Sequence, residues 1–180
     1  MKGKIFLCVI IIALLIFSIF ILMQNNTEEE IIEYTPEEEI SEEQTRKTLV
    51  TLYFLNKETN DLMPEARLVD AKILVNNPYE SLVNLLLEGP KNDKLQSVIP
   101  AKTKLNKAYL EGNTAVVDLS TDFIKDINLG AEAESKIVYS IVNTLVELTE
   151  IDSVKILIDG KEGCAFYDKA INFKSAFVRI

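Results

Sequence analysis

The run Ile5–Met23, "IFLCVIIIALLIFSIFILM", constrains this chain more than any other stretch. It is nineteen residues without a charge, and Ser18 is its only clearly polar member. Coiled as a helix it measures about 28 Å, against a hydrocarbon core of about 30 Å. Lys2 and Lys4 precede it and no basic residue follows before Arg46. The positive-inside bias therefore keeps the N-terminus in the cytoplasm and sends the rest of the chain across. A cleaved signal peptide has a shorter apolar region that ends in small residues, and Phe20-Ile21-Leu22-Met23-Gln24 offers none. The expectation is an uncleaved single-pass anchor over residues 1–23 in the cell membrane, with an extracytoplasmic C-terminal part. Cys8 has almost no apolar run before it, as a lipoprotein signal would need, and reads as a cysteine in an apolar helix.

Residues 24–47, "QNNTEEEIIEYTPEEEISEEQTRK", carry nine Glu against Arg46 and Lys47, a net charge of −7 within a total of −9. Like charges repel and few strong core formers are present, so this part reads as an extended, solvated linker. Binding calcium or a basic protein is the functional alternative to a plain spacer. Residues 48–180 hold 15 basic and 19 acidic side chains, and 133 residues can close a core without disulfides or metals.

Within that domain "TLVTLYFL" (48–55) alternates as a strand, with Val50, Leu52 and Phe54 on one face. "EARLVDAKILV" (65–75) reads as a second strand. Asn77 caps a helix with Pro78 in its first turn and a stripe of Tyr79, Leu82, Val83 and Leu86, and Gly89-Pro90 stops it. "TKLNKAYLEGNTAVVDLS" (103–120) predicts a hairpin turning at Gly112-Asn113. Residues 131–149 form the longest helix, with Val138, Ile141, Val142, Leu145 and Leu148 inward and Glu132 and Lys136 paired outside. "SVKILIDG" (153–160) is a last strand. The order β-β-α-β-β-α-β predicts an α+β fold, a mixed sheet with two helices packed on one face. Residues 161–180 form a C-terminal extension that ends strand-like in "SAFVRI".

Chemistry is scarce. The chain has no histidine, which removes His-based triads, most catalytic zinc sites and the commonest general base. Cys164 is the only cysteine after Cys8, so the domain has no internal disulfide and no multi-cysteine metal site. Gly89 stands alone before Lys91, without the spacing of a phosphate-binding loop. Lys91, Lys94, Lys102, Lys104 and Lys107 put five cations into seventeen positions. They are a candidate patch for an anionic polymer or a partner's acidic face, to be weighed against an ordinary solvated surface. Paired acids such as Asp118 with Asp122, or Glu147 with Glu150, suggest a wall-active carboxylate hydrolase; local backbone capping by Ser120 or Asp122 is the plainer account. A small-ligand sensor is a third option. No catalytic residue, cofactor or metal is assigned, and nucleic acid is not an expected partner.

The segments "VTLYFLN", "LMPEARLV", "LVNLLLEGP", "LQSVIPAKTKL", "AVVDLS" and "IVNTLVELTEIDSVKILIDG" occur together and in order. In this combination residues 48–160 resemble the GerMN domain of spore-germination and sporulation proteins of Gram-positive bacteria. The resemblance implies a small extracytoplasmic α+β module, similar in shape to the ring-building modules of transenvelope secretion machines. It implies a non-enzymatic binding or assembly role, with peptidoglycan or an envelope protein complex as partner and self-association left open. Arg67, Gly89, Pro90, Pro100, Asp118, Ser120, Asn143, Thr144 and Gly160 fall on the shared signature and are expected to be structural, with Arg67 and Asp118 a candidate internal pair. One copy fits this chain where some members carry two, and a membrane helix stands where some carry a lipid.

Overall fold

The computed structural model describes residues 14–21, 46–125, 127, 129–167 and 169–179. The chain divides into two units, Met1–Glu39 and Ile40–Ile180. In the first, residues 14–21 are helical. The remainder of the expected anchor, and the acidic linker up to residue 45, lie outside the described residues. Among the described residues no helix is long and apolar enough to cross a membrane.

The second unit starts with β1 (Lys47–Asn56) and β2 (Leu62–Asp70), an antiparallel pair in unbroken register from Lys47 opposite Asp70 to Leu55 opposite Leu62. Asn56 closes the hairpin: its Oδ1 accepts from the N–H of Glu58 at 2.8 Å and of Thr59 at 3.1 Å. Alternation sets the faces. Val50, Leu52, Phe54 and Val69 are buried, while Leu49 and Leu68, opposite one another on the other face, are 64% and 61% exposed.

The second strand differs from expectation at both ends. It begins at Leu62 and includes Pro64, and the chain leaves it at Asp70 for a short helix, α1 (Lys72–Val75). The turn follows from Asp70, whose Oδ1 accepts from the N–H of Lys72 at 3.0 Å. Helix α2 (Pro78–Leu87) has the expected cap, Asn77 Oδ1 accepting from the Glu80 N–H at 3.0 Å, and buries Leu82, Val83 and Leu86. A two-residue strand not foreseen in the sequence, β3 (Leu95–Gln96), then pairs with the end of β1.

β4 (Leu105–Glu111) and β5 (Thr114–Leu119) form the expected hairpin, with Gly112 at φ 59°. Helix α3 (Ala131–Leu145) follows, and β6 (Ser153–Ile158) runs parallel to β5. The strands make two three-stranded sheets, ordered β2-β1-β3 and β4-β5-β6, and not the single mixed sheet expected. The reason is visible at Tyr53. Its N–H and C=O point away from β2 and are taken by α3: Thr144 Oγ1 accepts from the N–H at 3.0 Å, and Ser140 Oγ donates to the carbonyl at 2.7 Å. Two hydroxyls of a helix occupy the edge on which a fourth strand would have extended the sheet.

Both sheets and both longer helices share one core, from Leu52 and Phe54 through Leu86, Ile141 and Leu145 to Val117 and Ile156. The C-terminal extension completes it. Phe177 bridges Val154 with two main-chain hydrogen bonds of 2.8 Å. Phe166 and Phe173 are buried beside Phe123, with ring centroids 5.4–6.1 Å apart.

Candidate functional site

The loop between α2 and β4 is held by a buried ion pair on β2. Arg67 and Glu65 point from the inner face of a strand whose other inward residues are apolar, and both are more than nine-tenths buried. Arg67 Nε donates to Glu65 Oε1 at 3.1 Å, and its Nη2 donates to the same oxygen. The rest of the guanidinium ends α2: Nη1 donates to the Leu85 carbonyl at 3.2 Å and Nη2 to the Gly89 carbonyl at 2.8 Å. Leu85 stands in the last turn, where a helix leaves carbonyls without partners, and Gly89 lies just past the cap. The second carboxylate oxygen, Glu65 Oε2, accepts from the N–H groups of Lys91 and Asn92 at 2.8 and 2.9 Å. Phe54 lies beneath the guanidinium, 5.7 Å from its ring centroid.

Burial pushes the Glu65 carboxyl toward a higher pKa. The hydrogen bonds from Arg67, Asn92 and Lys91 outweigh that effect and hold it below its ordinary value. Gly89, at φ 87°, makes the left-handed step that aims its carbonyl at Arg67, and Pro90 follows where the helix cannot continue. Leu95 and Ile99 are buried, and the Pro100 carbonyl closes a turn by accepting from the Thr103 N–H at 2.9 Å.

Arg67 and Asp118 do not pair, contrary to expectation. Asp118 is buried on β5 and accepts from the Gly160 N–H at 2.8 Å. Gly160 is at φ 74°, and Asp118 Oδ2 is already 4.0 Å from where a Cβ would stand. Ser120 does not cap its own turn; its Oγ accepts from the Lys104 N–H, sixteen residues away, at 3.0 Å. Thr144 is the edge-sealing hydroxyl described above. Asn143, next to it, has a buried Oδ1 with no hydrogen-bond partner among the described residues.

The five candidate lysines are exposed and form no ion pair among the described residues. They are not gathered into one hollow. Lys91 lines one of about 450 Å³ with Pro64, Glu65, Arg67 and Asn92. Lys102 lines another of about 300 Å³ with Pro100, Asp122 and Lys125. Lys94 lies in the loop, Lys104 precedes β4, and Lys107 on β4 lies 4.8 Å from the ring centroid of Tyr109. Two of the four candidate acids, Glu147 and Asp118, are committed to separate tasks. Glu147 Oε1 accepts from the Tyr53 hydroxyl at 3.0 Å and pairs with Arg179, while Asp118 holds Gly160.

A family model described as Germane, sporulation and spore germination, matches residues 51–164 of the chain. The chain belongs to the Germane (GerMN) family. The matched span runs from β1 to just past β6 and contains the Arg67 network and the loop it holds. The Spore germination protein GerM of Bacillus subtilis (strain 168) is 36% identical to this GerMN chain over 87 residues, 46% of this chain and 23% of that protein. The chain thus spans about a quarter of the length of that relative. Among solved structures, the tandem GerMN domains of GerM from Bacillus subtilis superpose with a TM-score of 0.63 at 20% identity, covering 76% of this chain and 47% of that one. The first GerMN domain of the same protein superposes at 0.59 and 24% identity, covering 73% of this chain and 98% of that domain. These descriptions name a process and no reaction.

Proposed function

We propose that this GerMN protein is a non-catalytic assembly module, held at the cell membrane by its N-terminal segment and acting outside the cytoplasm in sporulation or germination. Its contact is with peptidoglycan or with an envelope protein complex, through the exposed loop that carries Lys91 and Lys94. The observation that carries this reading is the use the fold makes of its buried charge. Glu65 and Arg67 hold main-chain groups of the loop that carries Lys91 and Lys94, and Asp118 holds the separate turn at Gly160. These buried charges serve to fix backbone, while the loop presents its cations outward. The hydrolase reading fares worse because Asp118 and Glu147 have separate, filled hydrogen-bonding roles.

Co-sedimentation of the full chain, in detergent, with purified sacculi tests the wall contact. Retention that weakens as salt is raised, and that falls in a Lys91→Glu/Lys94→Glu double variant, supports it. Failure to sediment at any salt directs the contact to a protein, to be captured by crosslinking in intact membranes. Absence of any crosslinked partner as well would overturn the binding reading. Muropeptide release from the sacculi would replace it with an enzymatic one.

A further inference from the structure

The outer edge of β2 is open. In the β1–β2 ladder, Tyr53 points its main-chain groups toward α3, so the pairs Tyr53–Pro64, Thr51–Ala66 and Leu49–Leu68 lack mutual hydrogen bonds. The N–H and C=O groups of Ala66 and Leu68 therefore face outward, and no hydrogen bond reaches them among the described residues. Pro64, with no N–H to offer, sits at the start of this edge, where a proline interrupts no ladder. Pro64, Ala66 and Leu68 are exposed, and with Lys91 and Asn92 they line the hollow of about 450 Å³ beside the strand. An unpaired edge next to a hollow, with exposed apolar side chains, has the features used to accept an added strand.

Charge indicates what kind of strand. Within the hollow Glu65 and Arg67 neutralise each other, which leaves Lys91. At the far end Asp70 is paired with Arg46 at 2.8 Å and flanked by Lys47 and Lys72, so among the described residues cations outnumber it. Among the described residues the edge is bounded by positive charge at both ends, on a protein whose net charge is −9. A second copy pairing antiparallel through β2 would set the Lys91 end of one molecule against the Lys72 end of the other, which like charges oppose. An acidic segment meets attraction at both ends.

We propose that the open edge of β2 docks an extended, acidic segment of a partner protein, which adds as a strand along Pro64–Asp70. The segment alternates apolar residues, set against Leu68 and Leu49, with carboxylates that reach Lys91 and Lys72. This rests on the reading of the protein as a binding module and names the class of its partner.

Amide hydrogen exchange of the full chain in detergent micelles tests it, with an acetylated heptapeptide alternating glutamate with valine and isoleucine as the probe and its lysine counterpart as control. The acidic peptide is expected to slow exchange at Ala66 and Leu68 at least tenfold, and the basic peptide to leave it unchanged. Ala66→Pro, which removes an outward N–H that no ladder bond uses and is checked for an unchanged melting midpoint, is expected to abolish the protection read at Leu68. Lys91→Glu is expected to weaken peptide affinity at least fivefold with the fold intact. Unslowed exchange at millimolar peptide, equal protection by the basic peptide, or protection that grows with protein concentration alone would each overturn the proposal. Crosslinking to an envelope partner while these two amides stay open would discard the edge and keep the broader reading.

Discussion

Arg67 donates to a carboxylate and to two carbonyls at the end of α2, so its removal strands several buried polar groups together. Breaking a buried pair by deleting one partner costs about 3–5 kcal/mol. Arg67→Leu is expected to lose stability of that order in urea denaturation, and a loss under about 1 kcal/mol would contradict a structural role for the pair. The carboxylate side carries a pH signature. Glu65 is held below its ordinary pKa of 4.5 in the folded chain. Its stabilisation is therefore complete above that value and is lost as pH falls through the lower, folded value. The stability gap between wild type and Glu65→Gln should stay constant from pH 6 to 8 and narrow below about pH 4.5. A gap that widens on acidification has the wrong sign.

Elements are more legible in the sequence than their partners. The Asn77 cap, the Leu82–Val83–Leu86 stripe, the Gly112-Asn113 turn and the Glu132–Lys136 pair all stand where local pattern puts them, because each depends on neighbours within one or two turns of chain. The split into two sheets is hidden, since it depends on Ser140 and Thr144, hydroxyls on the largely apolar buried side of α3, meeting Tyr53 far earlier in the chain. A hydroxyl pair spaced i, i+4 inside a buried stripe is the one local signal of it. The Arg67–Glu65 pair is hidden for a related reason. Two charges at alternate positions of a strand read as a solvated face, whereas these two point inward to close a helix. Ser140→Ala leaves the Tyr53 carbonyl unpaired and is expected to cost about 1–3 kcal/mol. Thermal denaturation of the Ser140→Ala and Thr144→Val variants, alone and combined, measures this edge, and unchanged midpoints would remove its role in separating the sheets.

At the scale of the whole molecule, the C-terminal extension belongs to the core that earlier segments begin. Phe166 and Phe173 pack on Phe123, Phe177 pairs with β6, and Arg179 meets Glu147, which also accepts from Tyr53 on β1. Phe173→Ala is expected to destabilise the domain by about 3–5 kcal/mol, and a chain ending at Gly163 to lose cooperative unfolding. Burial, then the hydrogen bond to Glu147 and its charge, raise the Tyr53 phenol above its ordinary value of 10.0. That contribution is present below pH 10 and fades as pH rises through the higher folded value. Ultraviolet titration should show Tyr53 ionising late, and Glu147→Gln should bring it forward.

The register of β1 has a mechanical consequence. The polypeptide enters the domain at Arg46 and runs straight into a strand paired along its length with β2, nine residues opposite nine. A pull along that strand, against a load spread along the outer edge of β2 and not leaving through Asp70 at the same end, does not open the hairpin rung by rung from its Lys47–Asp70 end. It loads the rungs in shear, so that they resist together and yield together. The strand that receives the incoming chain would therefore pass such a pull to its neighbour through the whole ladder at once.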